Sequence, residues 1–248
     1  MPRSRLSGVV ALAALAACGD PSAPAAPDVA GDAAPALDRA RAGRGAAIVG
    51  AVYTSTNAAG GNQVLAFPRQ QNGRLGAPTA HATGGTGAGS GLGSQGAVVL
   101  TPNGRWLLAV NAGSNSVTVF RTDRDGLART DVEPSGGEFP VSVAVRGDLV
   151  YVLNGRGTTN VSGFRLSNVG ALAPIDGSTR PLSAAATAPA QLEFSPDGRV
   201  LVVTEKATNR ITTFTVGNDG RLTMVGAVPS ATATPFGFAF DGRGYLVV

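Results

Sequence analysis

Along residues 190–222, AQLEFSPDGRVLVVTEKATNRITTFTVGNDGRL, apolar side chains alternate at Leu192 and Phe194. They then run without a break over residues 200–203 and recur at Ile211, Phe214 and Val216. Short apolar runs of this kind predict strands, and nothing in the stretch has the three-to-four spacing of a helix face. Turn chemistry separates the runs. Ser195-Pro196-Asp197-Gly198 predicts a tight turn, Ala207-Thr208-Asn209 a loop and Asn218-Asp219-Gly220 a second tight turn. The unit is therefore expected to be a four-stranded antiparallel meander.

The same unit recurs along the chain at roughly 45 to 50 residues, the period of propeller blades. Thr101-Pro102-Asn103-Gly104-Arg105 matches Ser195-Pro196-Asp197-Gly198-Arg199, and Asp241-Gly242-Arg243 matches its end. Phe67, Phe120, Phe164 and Phe214 form a third-strand column, and Asn62, Asn115 and Asn209 each stand five residues before one of them. Those asparagines read as turn formers ahead of a strand. The fold class expected is all-β, a β-propeller of four-stranded antiparallel blades. Blade one starts near Ala46, with strands near 48–54 and 63–67; blade two spans about 95–139, blade three 140–188 and blade four 189–234. Residues 236–248 begin a fifth, so residues 46–248 hold about four and a half blades. Propellers close with four to eight whole blades, and the chain reads as the N-terminal part of a longer one.

The N-terminus has a different pattern. Arg3 and Arg5 precede the apolar run 9–17, which is too short to span a bilayer and ends in Leu15-Ala16-Ala17-Cys18. This resembles a bacterial lipoprotein signal over residues 1–17. The resemblance implies that Cys18 is the acylated first residue of the mature protein, anchoring it to membrane lipid in the cell envelope. Gly19, rather than an aspartate, follows it, which favours the outer membrane. Residues 18–45 are rich in Ala, Pro, Asp and Gly with almost no large apolar side chains, and read as a tether reaching roughly 30 Å.

Charge adds little. The formal charge of +4 falls to +2 once Arg3 and Arg5 leave with the signal, and the propeller's arginines are scattered. No basic stripe with interleaved aromatics points to nucleic acid. Gly91-Leu92-Gly93-Ser94-Gln95-Gly96 satisfies GxGxxG, but a strand rather than a helix is expected after it, so it reads as a flexible connection between blades one and two and no cofactor is implied. The sole histidine, His81, is expected in a solvated turn between Pro78 and Gly84, with no partners for a nucleophilic triad. No cluster of His, Cys or carboxylates has metal-ligand spacing.

The blade pattern, with S-P-D-G-R at 195–199, V-V-T-E at 202–205 and N-D-G-R-L at 218–222, resembles the lactonase-type seven-bladed propeller family. That family includes 6-phosphogluconolactonases and 3-carboxymuconate cyclases, and the pattern is also similar to YVTN surface repeats. The resemblance implies seven blades, roughly 320 residues at this period. Family enzymes carry a pattern like HPHSV entering an early first strand, where this chain has Ser94-Gln95-Gly96-Ala97-Val98. They carry GPRH entering a later one, where this chain has Ala188-Pro189-Ala190-Gln191. Of the family's acid–base set only the glutamate is retained, as Glu205.

In an up-and-down meander the loops after strand two share an end of the blade with the entries to strand one. Around a central channel this end would gather Asn111, Asn154 and Glu205, one aligned column, with Arg156, Lys206, Gln95 and Gln191. Two readings follow. In one the chain is a membrane-tethered propeller that binds a small carboxylate or lactone ligand, or a protein partner, on the channel face, using Gln95, Asn111, Asn154, Arg156, Gln191 and Lys206. In the other it is a lactone hydrolase or cyclase with Glu205 as general acid or base and Arg156 or Lys206 as anion contacts.

Overall fold

The computed structural model describes residues 47–123 and 126–248. The lipoprotein signal, Cys18 and the tether lie outside the described residues. Strands β1 (Ile48–Ser55), β2 (Gln63–Gln70) and β3 (Thr79–Ala82) form a three-stranded sheet. Strands β4 (Val98–Leu100), β5 (Trp106–Asn111), β6 (Ser116–Asp123) and β7 (Gly126–Pro134) form the second sheet, in that order. The third comprises β8 (Glu138–Arg146), β9 (Leu149–Arg156) and β10 (Asn160–Leu166). Its outer strand is split into β11 (Leu172–Pro174) and β12 (Arg180–Pro181), both paired with β10. The fourth is β13 (Pro189–Phe194), β14 (Val200–Glu205), β15 (Arg210–Val216) and β16 (Leu222–Pro229), and a last pair follows, β17 (Ala239–Phe240) with β18 (Leu246–Val247). Every pairing is antiparallel, so the meanders expected from the pattern form as blades of a partial propeller.

The repeat extends to backbone irregularities. Register slips fall at Val119/Phe120 and again at Thr213/Phe214, and at Pro140/Ser142 and again at Pro189/Gln191. Phe67 pairs with Val52 as Phe120 pairs with Leu107, so β1, β2 and β3 correspond to strands two, three and four of a blade.

The core lies between blades rather than within them. Trp106, Leu108 and Val119 of blade two meet Val150, Val152 and Phe164 of blade three. Tyr151 and Leu153 on the other face of blade three meet Leu192, Phe194, Val203 and Phe214 of blade four. A central strand is thus covered on both faces, which is why β5 and residues 201–205 of β14 are buried at consecutive positions instead of alternating. Each such Leu, Val or Phe contributes about 1.5–3 kcal/mol on burial.

Two expectations are corrected. His81 is not in a turn: it lies in β3 opposite Val64, and its Nε2 is buried without a hydrogen-bond partner. The apolar-poor stretch around it is a short edge strand, which propensity alone does not reveal. Nor is the glycine-rich connection between blades one and two a loose one. Gly87 N–H donates to Ala58 C=O, Gly89 N–H to Asn57 C=O and Gly113 N–H to Thr86 C=O, at 2.8, 2.9 and 2.9 Å. Glycine is needed because main chain meets main chain: a Cβ on Gly87 would be driven into the Asn57 carbonyl group, and one on Gly113 into the carbonyl oxygen of Gly87.

Candidate functional site at the channel mouth

The first strands of blades three, four and five are each entered through a kinked residue. Phe139, Ala188 and Thr234 have φ of 57°, 45° and 60°, and each precedes a proline. This left-handed geometry is costly for side-chain-bearing residues and persists only where neighbours hold it. In two cases the holder is an asparagine of the column seen in the sequence. Asn115 Oδ1 accepts from Phe139 N–H at 2.8 Å and Asn209 Oδ1 accepts from Thr234 N–H at 2.7 Å. Both asparagines are themselves left-handed, at φ 52° and 54°, so they form the turn and also clasp the next blade. Asn62 instead bridges to blade two, its Nδ2 donating to Val110 C=O and Asn111 Oδ1.

A second ring of bonds joins the first strands. Val143 N–H donates to Gly96 C=O at 2.8 Å, Leu192 N–H to Ser142 Oγ at 3.3 Å and Phe238 N–H to Gln191 Oε1 at 2.9 Å. Gln191 also returns a bond, Nε2 to Phe238 C=O at 3.1 Å. Its amide therefore stitches blade four to the start of blade five.

Over this ring the connector crosses the mouth. Ser94 Oγ donates to Val141 C=O, Gln95 N–H to Ala190 C=O, and the Lys206 ammonium to Gly93 C=O. Lys206 Nζ also sits 5.2 Å from the centre of the Phe236 ring, and the Gln95 side chain lies against Gly237. Burial lowers the pKa of Lys206 from its ordinary value. Gln95, Gln191 and Lys206 are thus brought together. Arg156 belongs to the adjoining blade, exposed, with its guanidinium 3.6 Å from the centre of the Phe139 ring.

The column Asn111, Asn154 and Glu205 is placed differently, inside the blades and fully buried. Each residue lies at or near the end of a second strand and reaches the connector arriving from the preceding blade, the turn that follows or the third strand beside it. Asn111 Nδ2 donates to Ser116 Oγ and Thr118 Oγ1, at 3.1 and 2.8 Å. Asn154 Nδ2 donates to Ser135 C=O and Asn160 Oδ1, at 3.1 and 2.9 Å, while its Oδ1 has no partner. Glu205 accepts four bonds. Ser183 N–H at 3.1 Å and Thr212 Oγ1 at 2.6 Å reach Oε1; Thr208 Oγ1 at 2.7 Å and Ser183 Oγ reach Oε2. Four donors fill the lone-pair sites a carboxylate offers.

One polar group of the channel was not singled out by the sequence. Glu193, two residues after Gln191, lines a cavity of about 430 Å³ between β4, β8 and β13. Its position on a first strand facing the lumen is a signal the repeat register could have supplied.

The sequence profile described as "Lactonase, 7-bladed beta-propeller" matches residues 60–181 and 160–248. No curated protein matches the chain. Among solved structures, a 6-phosphogluconolactonase candidate from Bacteroides uniformis superposes with a TM-score of 0.65 at 22% identity, over 79% of this chain and 59% of that one. A second candidate, from Bacteroides fragilis, gives 0.59 at 24%, over 74% and 56%. The periplasmic gluconolactonase of Pseudomonas aeruginosa gives 0.61 at 22%, over 78% and 58%. The chain spans a little under three fifths of these proteins, and at such identities the likeness establishes the fold. With the profile covering most of its length, the chain belongs to the lactonase family of seven-bladed β-propellers.

Proposed function

We propose that this chain is a lactonase-family propeller of the bacterial cell envelope, tethered through Cys18, that binds a small carboxylate- or lactone-bearing ligand at the channel mouth without turning it over. The observation that carries the reading is the state of Glu205. It is fully buried, and its two oxygens already accept four hydrogen bonds, so no lone pair is presented to a substrate. A general acid or base must come within about 3 Å of the proton it moves. Lys206 and Arg156 supply positive charge on the mouth, where an anionic group would meet them. The positions where family enzymes carry histidine and arginine hold Ser94, Gly96, Ala190 and Gln191, and Gln191 is engaged in joining blades. The tether rests on the Leu15-Ala16-Ala17-Cys18 spacing behind a basic segment.

Retention of a glutamate at the end of V-V-T-E favours the second reading, a lactone hydrolase or cyclase using Glu205. A pH-controlled assay of the full-length protein on 6-phosphogluconolactone and 3-carboxymuconate, beside Glu205→Gln, separates the two. No turnover above the uncatalysed rate is expected from either protein. Robust turnover that the substitution abolishes would overturn the binding reading and make Glu205 catalytic.

A further inference from the structure

The connector that crosses the mouth is pinned on both sides of a short gap. On the blade-one side Ala88 N–H donates to Asn57 Oδ1 at 2.8 Å, and Asn57 Nδ2 donates to Ser90 C=O at 2.5 Å. On the far side Ser94 Oγ reaches Val141 C=O of blade three and Gln95 N–H reaches Ala190 C=O of blade four, both at 2.9 Å. Gly91, Leu92 and Gly93 lie between these anchors. Among the described residues their N–H groups have no hydrogen-bond partner, and the bond from Lys206 Nζ to Gly93 C=O is the one that grips them. Leu92 is half-buried against the core shared by blades two and three, while Gly91 and Gly93 are exposed.

A segment held by one side-chain hydrogen bond and one partly buried apolar side chain lies at the low end of local stability, so it opens at little cost while its anchors stay closed. Gly91 and Gly93 flank Leu92 and give the backbone the freedom to carry it outward. The grip comes from the loop after β14, and a lysine ammonium has three donor protons. One goes to Gly93, and the charge also faces the Phe236 ring, 5.2 Å from its centre. A carboxylate offers that ammonium a full opposite charge where Gly93 offers a carbonyl dipole. One that takes two of the protons, with the third over the ring, leaves none for Gly93. We propose that residues 91–93 are a strap over the channel mouth, latched to blade four by Lys206 and released when a carboxylate ligand takes the ammonium. The inference rests on the anion-binding reading of the mouth and adds to it a movement that ligand drives, through a contact made only in the latched state.

The test is the rate at which chymotrypsin cuts after Leu92 in the full-length protein, read from fragment masses, because cutting there follows the population of the open strap. Lys206→Ala should accelerate the cut about threefold to tenfold, the factor for one net hydrogen bond, and Lys206→Arg, which keeps a charged donor, should stay near the parent. Sodium malonate, against sodium chloride at matched ionic strength, should accelerate the cut in the parent and leave Lys206→Ala unchanged. No acceleration in Lys206→Ala, or none by malonate in the parent, would overturn the proposal. Calorimetric titration with malonate in the same buffer tells the two failures apart: binding that leaves the cut unchanged ends the strap alone, whereas no binding counts against the anion reading of the mouth as well.

Discussion

Replacing Glu205 by glutamine and by alanine separates a carboxylate that builds the blade from one that performs chemistry. The two donors on Oε1 are the Ser183 N–H and the Thr212 hydroxyl; the two on Oε2 are both hydroxyls, of Ser183 and Thr208. A hydroxyl can turn and accept, whereas a backbone N–H cannot. Glutamine with its oxygen in the Oε1 position and its nitrogen in the Oε2 position therefore keeps all four contacts, and Glu205→Gln should lie within about 1 kcal/mol of the parent. Alanine orphans the Ser183 N–H, at about 1–3 kcal/mol, and leaves an unfilled space in a fully buried place that adds about 1–2 kcal/mol. Glu205→Ala should thus lose about 2–5 kcal/mol. With a urea slope of about 2–3 kcal/mol/M, the midpoint should fall by roughly 0.7–2.5 M for alanine and by less than about 0.5 M for glutamine. Urea denaturation followed by the single tryptophan, Trp106, buried between blades two and three, is the assay. Equal and small shifts for both variants would refute the argument, as would a glutamine variant as unstable as the alanine one.

Three further outcomes follow from other parts of the chain. Tyr151 donates to Gly220 C=O at 2.7 Å, and burial pushes its pKa up to about 12 from 10.0, so the folded state holds the proton more tightly. Its contribution is complete below pH 10 and is lost as pH rises towards 12, about 3 kcal/mol in all, and Tyr151→Phe should flatten that alkaline slope in denaturation midpoints. Gly87→Ala should cost about 2 kcal/mol or more, because the added methyl meets the Asn57 carbonyl group rather than a side chain that can turn aside; thermal melting measures it. Cys18→Ser should move the protein out of the membrane fraction and abolish incorporation of labelled palmitate, and unchanged fractionation and labelling would end the lipoprotein reading.

The strands were legible because turn residues punctuate them at a constant period, and because Phe67, Phe120, Phe164 and Phe214 keep their place in a blade. What the pattern hides is the direction in which a polar side chain at a strand end points. Asn111, Asn154 and Glu205 align as a column, and alignment alone fits a ring around a channel as well as it fits the joints between hairpins and connectors. In the folded chain all three are fully buried. Gln95, Gln191 and Lys206 sit on the entries and loops expected to converge, and they do converge, because the crossing connector fixes Gly93 and Gln95 over the mouth. His81 was lost to a turn because a four-residue edge strand with two alanines has no periodicity to read.

The column also explains why one blade carries an acid where two carry amides. In blade three the connector offers carbonyl oxygens: Ser135 C=O receives Asn154 Nδ2, and Gly136 C=O receives Ser162 Oγ. A side chain with donors is required there, and asparagine provides them. In blade four the connector offers the Ser183 N–H and hydroxyl, the turn between β14 and β15 adds the Thr208 hydroxyl and the third strand adds that of Thr212. A side chain presenting acceptors to the Ser183 N–H and the Thr212 hydroxyl is required there, and glutamate provides them, so the exchange of Asn for Glu matches the polarity of the connector. On the binding reading proposed above, a glutamate at this position has a structural use in blade four that does not depend on histidines at the mouth.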